Sequence, residues 1–259
     1  MAGLVLDPRD QGGADLSRKG GGVLANLEAL RHRHGWLSEL AGKEVSLETA
    51  SSLMIHRGSA RDLREILPLA AVDFPPEELL PPGTCEGLMS RGRYHLLVAH
   101  PASEMRLAGY AFVFTPKSEK TAWLDLMAVP SSLRCSGYGG ELFEALFRRF
   151  LKRGHLGMFI EVEIPNSKDS EERRNQERRL AFYRRHGAQV LDVPYQLPTL
   201  AGSLPMLLMF RPAPGLGVLP GMVIQRTICE AFDYIHSDVP HRGAVWASFG
   251  GGIQDAVLG

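Results

Sequence analysis

The run Arg134-Cys135-Ser136-Gly137-Tyr138-Gly139-Gly140 has the composition of an anion cradle. Glycine lets a phosphate approach the main chain closely, and a helix that opens on such a turn presents unpaired N–H groups and the positive end of its dipole. Arg134 adds a guanidinium suited to a phosphate oxygen. No G-K-[ST] follows, which argues against a P-loop, and no clean G-x-G-x-x-G argues for a dinucleotide fold. A second constellation is acidic. Glu161 and Glu163 are two apart in a strand-like run, so they share one face and look into one cleft, where burial and a like charge raise a carboxyl pKa toward a useful range. Asp125 sits on the neighbouring strand.

The flanking residues predict what positions these groups. Residues 123–129 form an apolar run broken only by Asp125 and stopped by Pro130, as in a largely buried strand. Beyond the glycines, Leu142, Leu146 and Phe150, beside Phe143, Phe147 and Leu151, recur at helical spacing. Residues 158–164 alternate apolar and acidic side chains as another strand. A charged helix follows, capped by Asp169 or Ser170, favoured at its start by Glu171 and Glu172 and ended near Gly187, its arginines forming a solvated face and His186 lying at the surface.

Upstream, 52–56 predicts a short strand. Ser59 caps a helix over 61–72 with the stripe Leu63, Ile66, Leu67 and Ala70, which Pro68 kinks or shortens. A proline-rich loop over 74–83 and a short helix near 86–91 precede a hairpin of 94–99 and 106–115. Two further strands are expected at 190–193 and 204–211. The order is β-α-α-β-β-β-α-β-α-β-β, an α/β (α+β) chain. Residues 1–22 read as a disordered Gly-rich tail, 23–50 as an N-terminal helical extension, 51–212 as the main domain, and 213–259 as a linker, a helix over 223–235 and a tail that is either a homodimer contact or nothing.

Composition sets the bounds. A chain of 259 residues with 44% hydrophobic content buries a full core. Lys plus Arg and Asp plus Glu are 29 each, so no global field draws nucleic acid or an acidic membrane. Three scattered cysteines fit neither a disulfide scaffold nor a zinc site and point to a reducing cytoplasm. His32 and His34 lack further ligands, so no metal is expected.

The stretch 134–139 resembles the R/Q-x-x-G-x-G/A loop of the GNAT superfamily of N-acetyltransferases, set as in that family between an apolar strand and an amphipathic helix. The element order over 51–212 is similar too. The resemblance implies a GNAT-like acyl-CoA N-acyltransferase fold, a mixed and mostly antiparallel twisted sheet flanked by helices. It implies transfer of an acetyl group from acetyl-CoA to a primary amine, on a small molecule or peptide, by direct attack through a tetrahedral intermediate. It also implies that the main chain of Met127, Ala128 and Val129 meets the thioester and pantetheine arm, that 134–140 holds the pyrophosphate, and that 74–83 borders the acceptor site.

Tyr183 in AFYRRHGA matches the tyrosine of the family's x-[LF]-Y-x-x-x-G-F pattern and is the implied general acid. Glu163, then Glu161, is the expected base, the alternatives being a water-borne proton or carboxylates that only bind a cationic substrate. There are departures: Pro130 falls one place early relative to V-x-P-x-x-R, Ala188 replaces an aromatic, and Gln176 replaces an asparagine. A non-catalytic acyl-CoA-binding module and a structural or interaction protein are the competing readings.

Overall fold

The computed structural model describes residues 52–104 and 106–259. The expected tail at 1–22 and helix at 23–50 lie outside the described residues. Strand β1 (Leu53–Arg57) leads into helix α1 (Ala60–Asp73), whose start is fixed by a capping box: Ser59 accepts from the Asp62 N–H while Asp62 accepts from the Ser59 N–H. Pro68 lies inside α1 without ending it, and the helix runs five residues further, to Asp73. A 3₁₀ turn over Pro76–Glu78 and helix α2 (Pro82–Ser90) follow. Next come β2 (Tyr94–Pro101), β3 (Gly109–Phe114) and β4 (Thr121–Ala128), then α3 (Tyr138–Leu151), β5 (Gly157–Glu163) and α4 (Ser170–Arg185). The chain continues as β6 (Gln189–Val190), β7 (Gln196–Thr199), β8 (Gly202–Pro212), β9 (Val218–Leu219), α5 (Gly221–Ile235), α6 (Arg242–Phe249) and β10 (Ala256–Val257).

The sheet order is β1-β2-β3-β4-β5-β8-β6, with β7 also paired to β8. Every pairing is antiparallel except β4 with β5. That parallel ladder runs only from Thr121↔Gly157 to Leu124↔Ile160. Past it β4 stays paired to β3 and β5 to β8, so the sheet forks. A β-bulge marks the fork: Val113 faces Leu124 and Phe112 faces Leu126, leaving Asp125 as the extra residue.

Alternation along the strands sends side chains to two buried layers. One face packs under α3 and α4 through Leu142, Phe143, Leu146, Phe147, Phe182 and Tyr183. The other carries α1, α2 and the C-terminal helices, through Leu63, Ile66, Leu88, Ile224, Ile228 and Phe232. The chain after Pro212 therefore supplies core: beyond the helix expected at 223–235 it forms α6 and the β9–β10 ribbon, placing Phe249, Ile253 and Leu258 in the same layer. Pairing of β7 with β8 makes a hairpin that starts in the stretch between the strands expected at 190–193 and 204–211, with Pro198 tolerated on an edge strand. Among the described residues, no helix is long and apolar enough to cross a membrane, and no group of three or more His, Cys, Asp or Glu is placed to hold a metal ion.

Gly157, where β5 begins, is a demanding position. A Cβ there would lie 2.3 Å from Phe210 Cζ and 2.4 Å from the Arg211 carbonyl oxygen. Gly157→Ala is expected to destabilise the fold by on the order of 3 kcal/mol, read as a shift in the denaturant midpoint.

Candidate active site

The glycine loop lies where β4 hands over to α3. Pro130 opens a 3₁₀ turn over Ser131–Leu133, and Gly137, in the left-handed region at φ 83°, is the N-cap of α3 with no side chain closing the helix end. Cys135 also has positive φ, at 63°. Cys135, Ser136 and Gly137 are exposed, and Tyr138, Gly139 and Gly140 are half-buried. A Cβ built on Gly137 meets nothing within 4 Å, whereas one on Gly140 would sit 3.2 Å from the His186 ring. Gly137 thus leaves the mouth of the loop clear, and Gly140 lets α3 approach the end of α4. His186, expected at the surface, is half-buried: Phe143 and Phe182 pack against its ring, and its Nδ1 lies 2.8 Å from Glu144.

Arg134 is otherwise engaged than in a phosphate contact. Its Nε donates to the Val129 carbonyl at 3.1 Å and its Nη2 to Asp73 at 2.6 Å, with the ion pair largely buried. Tyr110 donates to the other Asp73 oxygen at 3.1 Å. Burial pushes the Asp73 carboxyl up, against the pull of Arg134 and Tyr110. The early Pro130 and its 3₁₀ turn fold the arginine back on the strand end, so it ties the loop to α1.

Below the loop, the fork opens between the arms of β4 and β5. Met127, Ala128 and Val129 are buried there. Met127 and Ala128 pair with β3, and no β5 partner faces them. The first residues past the last rung, Asp125 and Glu161, are both carboxylates and both buried. Tyr94 donates to Asp125, Tyr195 donates to Glu161, and Trp123 Nε1 donates to Glu161 at 3.2 Å. Both phenols are held far above the usual range, by burial first and then by these carboxylates.

Glu163 is held differently. Arg179 grips it through Nε at 2.9 Å and Nη2 at 2.5 Å and also reaches Glu172 at 2.8 Å. Arg179, read from sequence as solvated, is 8% exposed. A two-point clasp of this kind occupies both carboxylate oxygens and fixes their orientation.

Tyr183 is fully buried, with Phe143 at 5.3 Å and Phe182 at 5.2 Å between ring centroids. Burial pushes its phenol up, Arg179 works against that, and Glu163 adds to it. The ring belongs to the α3–α4 layer, on the side of the sheet opposite Tyr195.

Sequence reasoning passed over Glu78. It ends the 3₁₀ turn of the proline-rich loop and lines two cavities. One, about 300 Å³, contains Glu163, Glu172 and Gln176; the other, about 570 Å³, is walled by Leu67, Leu79, Leu197, Leu200 and Val239. Burial, then the like charge of Glu163, pushes the Glu78 carboxyl up to about 8. The signal in the sequence was the bracketing PP pairs, which stiffen the loop carrying the acid.

No family model matches the chain, and no curated protein matches it. Solved structures do. A protein from Bacteroides thetaiotaomicron assigned to the GNAT acetyltransferases matches at a TM-score of 0.56 and 23% identity, covering 70% of this chain and 98% of its own. The ribosomal-protein-S18-alanine N-acetyltransferase of Escherichia coli matches at 0.45 and 20% identity, covering 63% of this chain and 98% of its own. A chimeric spermidine N-acetyltransferase from Vibrio cholerae matches at 0.47 and 14%, covering 62% and 96%. A fork after four rungs of parallel pairing, an uncapped glycine-opened helix at its mouth and the match to the first of these structures lead to one conclusion: this chain has the fold of the GNAT acetyltransferases.

Proposed function

We propose that the protein is an acetyl-CoA-dependent N-acetyltransferase acting on a primary amine. The observation that carries this reading is the end of β4–β5 pairing at Leu124↔Ile160, directly below the glycine loop and beside acid-lined cavities. Acetyl-CoA, when bound, supplies the acyl thioester. The clear space over Gly137 and the uncapped start of α3 suit a pyrophosphate, and the free β4 edge at Met127–Val129 offers backbone donors to an extended arm and a developing oxyanion.

The acceptor would enter from the cavities on the other side of the fork. Transfer needs an amine that has lost its proton, and Glu78, with a carboxyl near pH 8, is the group poised to take it. Glu163 and Glu161 make the surroundings acidic, which favours an amine arriving as a cation. The large cavity beside Glu78 is apolar, so we assign the acceptor an apolar body behind its amine. The proton for the departing thiolate comes from Tyr183 in this reading, its raised pKa keeping the phenol protonated. The catalytic unit is 51–212 in this reading, and the turn between α5 and α6, through His236, Asp238 and Val239, lines the larger cavity on its acceptor side.

One set of observations favours a second reading, a binding module without turnover: Glu163 is clasped by Arg179, Glu161 is held by Trp123 and Tyr195, and Tyr183 is buried. A thermal shift with CoA, followed by release of free thiol across a panel of apolar amines, separates the two. Stabilisation with thiol release supports the enzyme, stabilisation alone supports the module, and neither overturns both. Gly137→Val is expected to weaken CoA binding at least tenfold while the fold largely persists, because a β-branched residue at φ 83° strains the loop and its side chain enters clear space at the mouth; unchanged affinity in a calorimetric titration would remove the cradle.

A further inference from the structure

At the far end of α3 from the glycine loop, about 20 Å along the helix axis, a hollow of about 460 Å³ gathers positive charge. Arg57 closes β1, Lys117 and Lys120 sit on the β3–β4 turn, and Arg149 and Arg153 lie at the end of α3. None of these five side chains forms a salt bridge with a carboxylate among the described residues. The one acid in the lining, Glu119, is taken by Arg226 at 3.2 Å. The helix end accounts for only part of the charge: Arg153 Nη1 donates to the Arg149 carbonyl at 3.3 Å, while burial and then the charge of Arg153 both work against the charge on Arg149.

Such crowding costs stability unless something offsets it. The turn is held in place nonetheless. Glu230 on α5 accepts from the backbone N–H groups of Lys117 and Ser118, at 2.8 Å each, and from Arg93 at 2.6 Å. Two imidazoles complete the hollow. His155 Nδ1 lies 3.0 Å from the Phe150 carbonyl and His95 Nε2 lies 3.4 Å from Thr115 Oγ1. Burial, then Arg57, Arg153 and Arg149, push His95 down to about 4, so it is neutral and able to serve as a hydrogen-bond donor.

We propose that this hollow is a second anion site, which takes a small molecule carrying a di- or triphosphate group. Several cations converging from three elements on one concavity match a compact ligand with three or four negative charges. A nucleic-acid backbone asks instead for an extended basic stripe. The site does not depend on the acetyltransferase reading.

Inorganic triphosphate is the probe, titrated calorimetrically into the full chain, the Arg149→Ala/Arg153→Ala variant, the Lys117→Ala/Lys120→Ala variant and Gly137→Val, with His95 and His155 ring resonances followed by NMR. Saturable binding with both ring signals shifting is expected, weakened at least tenfold in each basic-site variant and kept in Gly137→Val. The pair of variants guards against one failing to fold. Loss in Gly137→Val alone would place the anion at the glycine loop and overturn the proposal. An equal response to sulfate, showing only ionic screening, would overturn it too, as would tighter binding of a single-stranded oligonucleotide than of triphosphate.

Discussion

Tyr183→Phe is expected to lower kcat by about 10²- to 10⁴-fold while leaving CoA affinity nearly unchanged, the usual contribution of a positioned proton donor. The ring sits between Phe143 and Phe182 and keeps its shape on substitution, so the melting temperature should move by a few degrees at most. A general acid acts on the thiolate as it departs, and the loss therefore falls on turnover rather than on binding. The phenol's raised pKa sharpens the expectation: it stays protonated across the accessible pH range and adds no limb of its own to the rate profile. Steady-state rates with one identified acceptor decide the matter. A kcat within about twofold of the parent would make Tyr183 a packing residue of the α3–α4 layer and leave water to protonate the thiolate.

Glu78→Gln is expected to lower kcat/KM by about 10²-fold or more and to remove a rise in rate through about pH 8. The substitution also has a signature in stability, and the two readouts separate catalysis from architecture. The carboxyl titrates near 8 in the folded chain against an ordinary value of 4.5, so between those limits the folded state holds a proton that the unfolded chain has released. Stability contributed by this group is present in full below about pH 4.5 and is lost as pH rises to about 8. The Gln variant should therefore melt above the parent at pH 9 and alongside it at pH 4. Higher stability with unchanged kinetics would show a buried acid with no part in the reaction. Lower rates with no pH-dependent stability difference would show that the carboxyl is not perturbed as described.

What was legible in the sequence is what depends on neighbours along the chain. The strand before Pro130, the glycine opening and the stripe from Leu142 to Phe150 are local patterns, and the structure has β4, the loop and α3 in those places. Ser59 and Asp169 were legible as caps for the same reason. The carboxylates at Glu161 and Glu163 were visible as a same-face pair, but their state was not. Trp123 reaches Glu161 from β4 and Tyr195 from the segment just before β7, and Arg179 reaches Glu163 from a helix sixteen residues on. Arg134 misled in the same way, because its partner Asp73 is sixty-one residues away. The Asp125 bulge is a property of pairing with β3 and leaves no trace in the β4 sequence itself. The β7–β8 hairpin was masked by Pro194 and Pro198, which argue for loop until an edge position accommodates them.

The two faces of the sheet are completed at different points along the chain. The α3–α4 layer has all its buried members once Met209 is made. The opposite layer still lacks Leu219, Ile224, Ile228, Phe232, Phe249, Ile253 and Leu258 at that point. On a ribosome, which delivers the chain from its N-terminus, the face carrying the glycine loop can therefore close while Tyr195, Phe210 and Trp123 still present bare rings to the solvent. Synthesis of residues 210–259, at roughly 5–20 residues per second, takes about 2.5–10 seconds, and that surface stays uncovered meanwhile. The nascent protein has a one-sided window for chaperone capture, and for self-association, on the face that α1, α2, α5 and α6 cover.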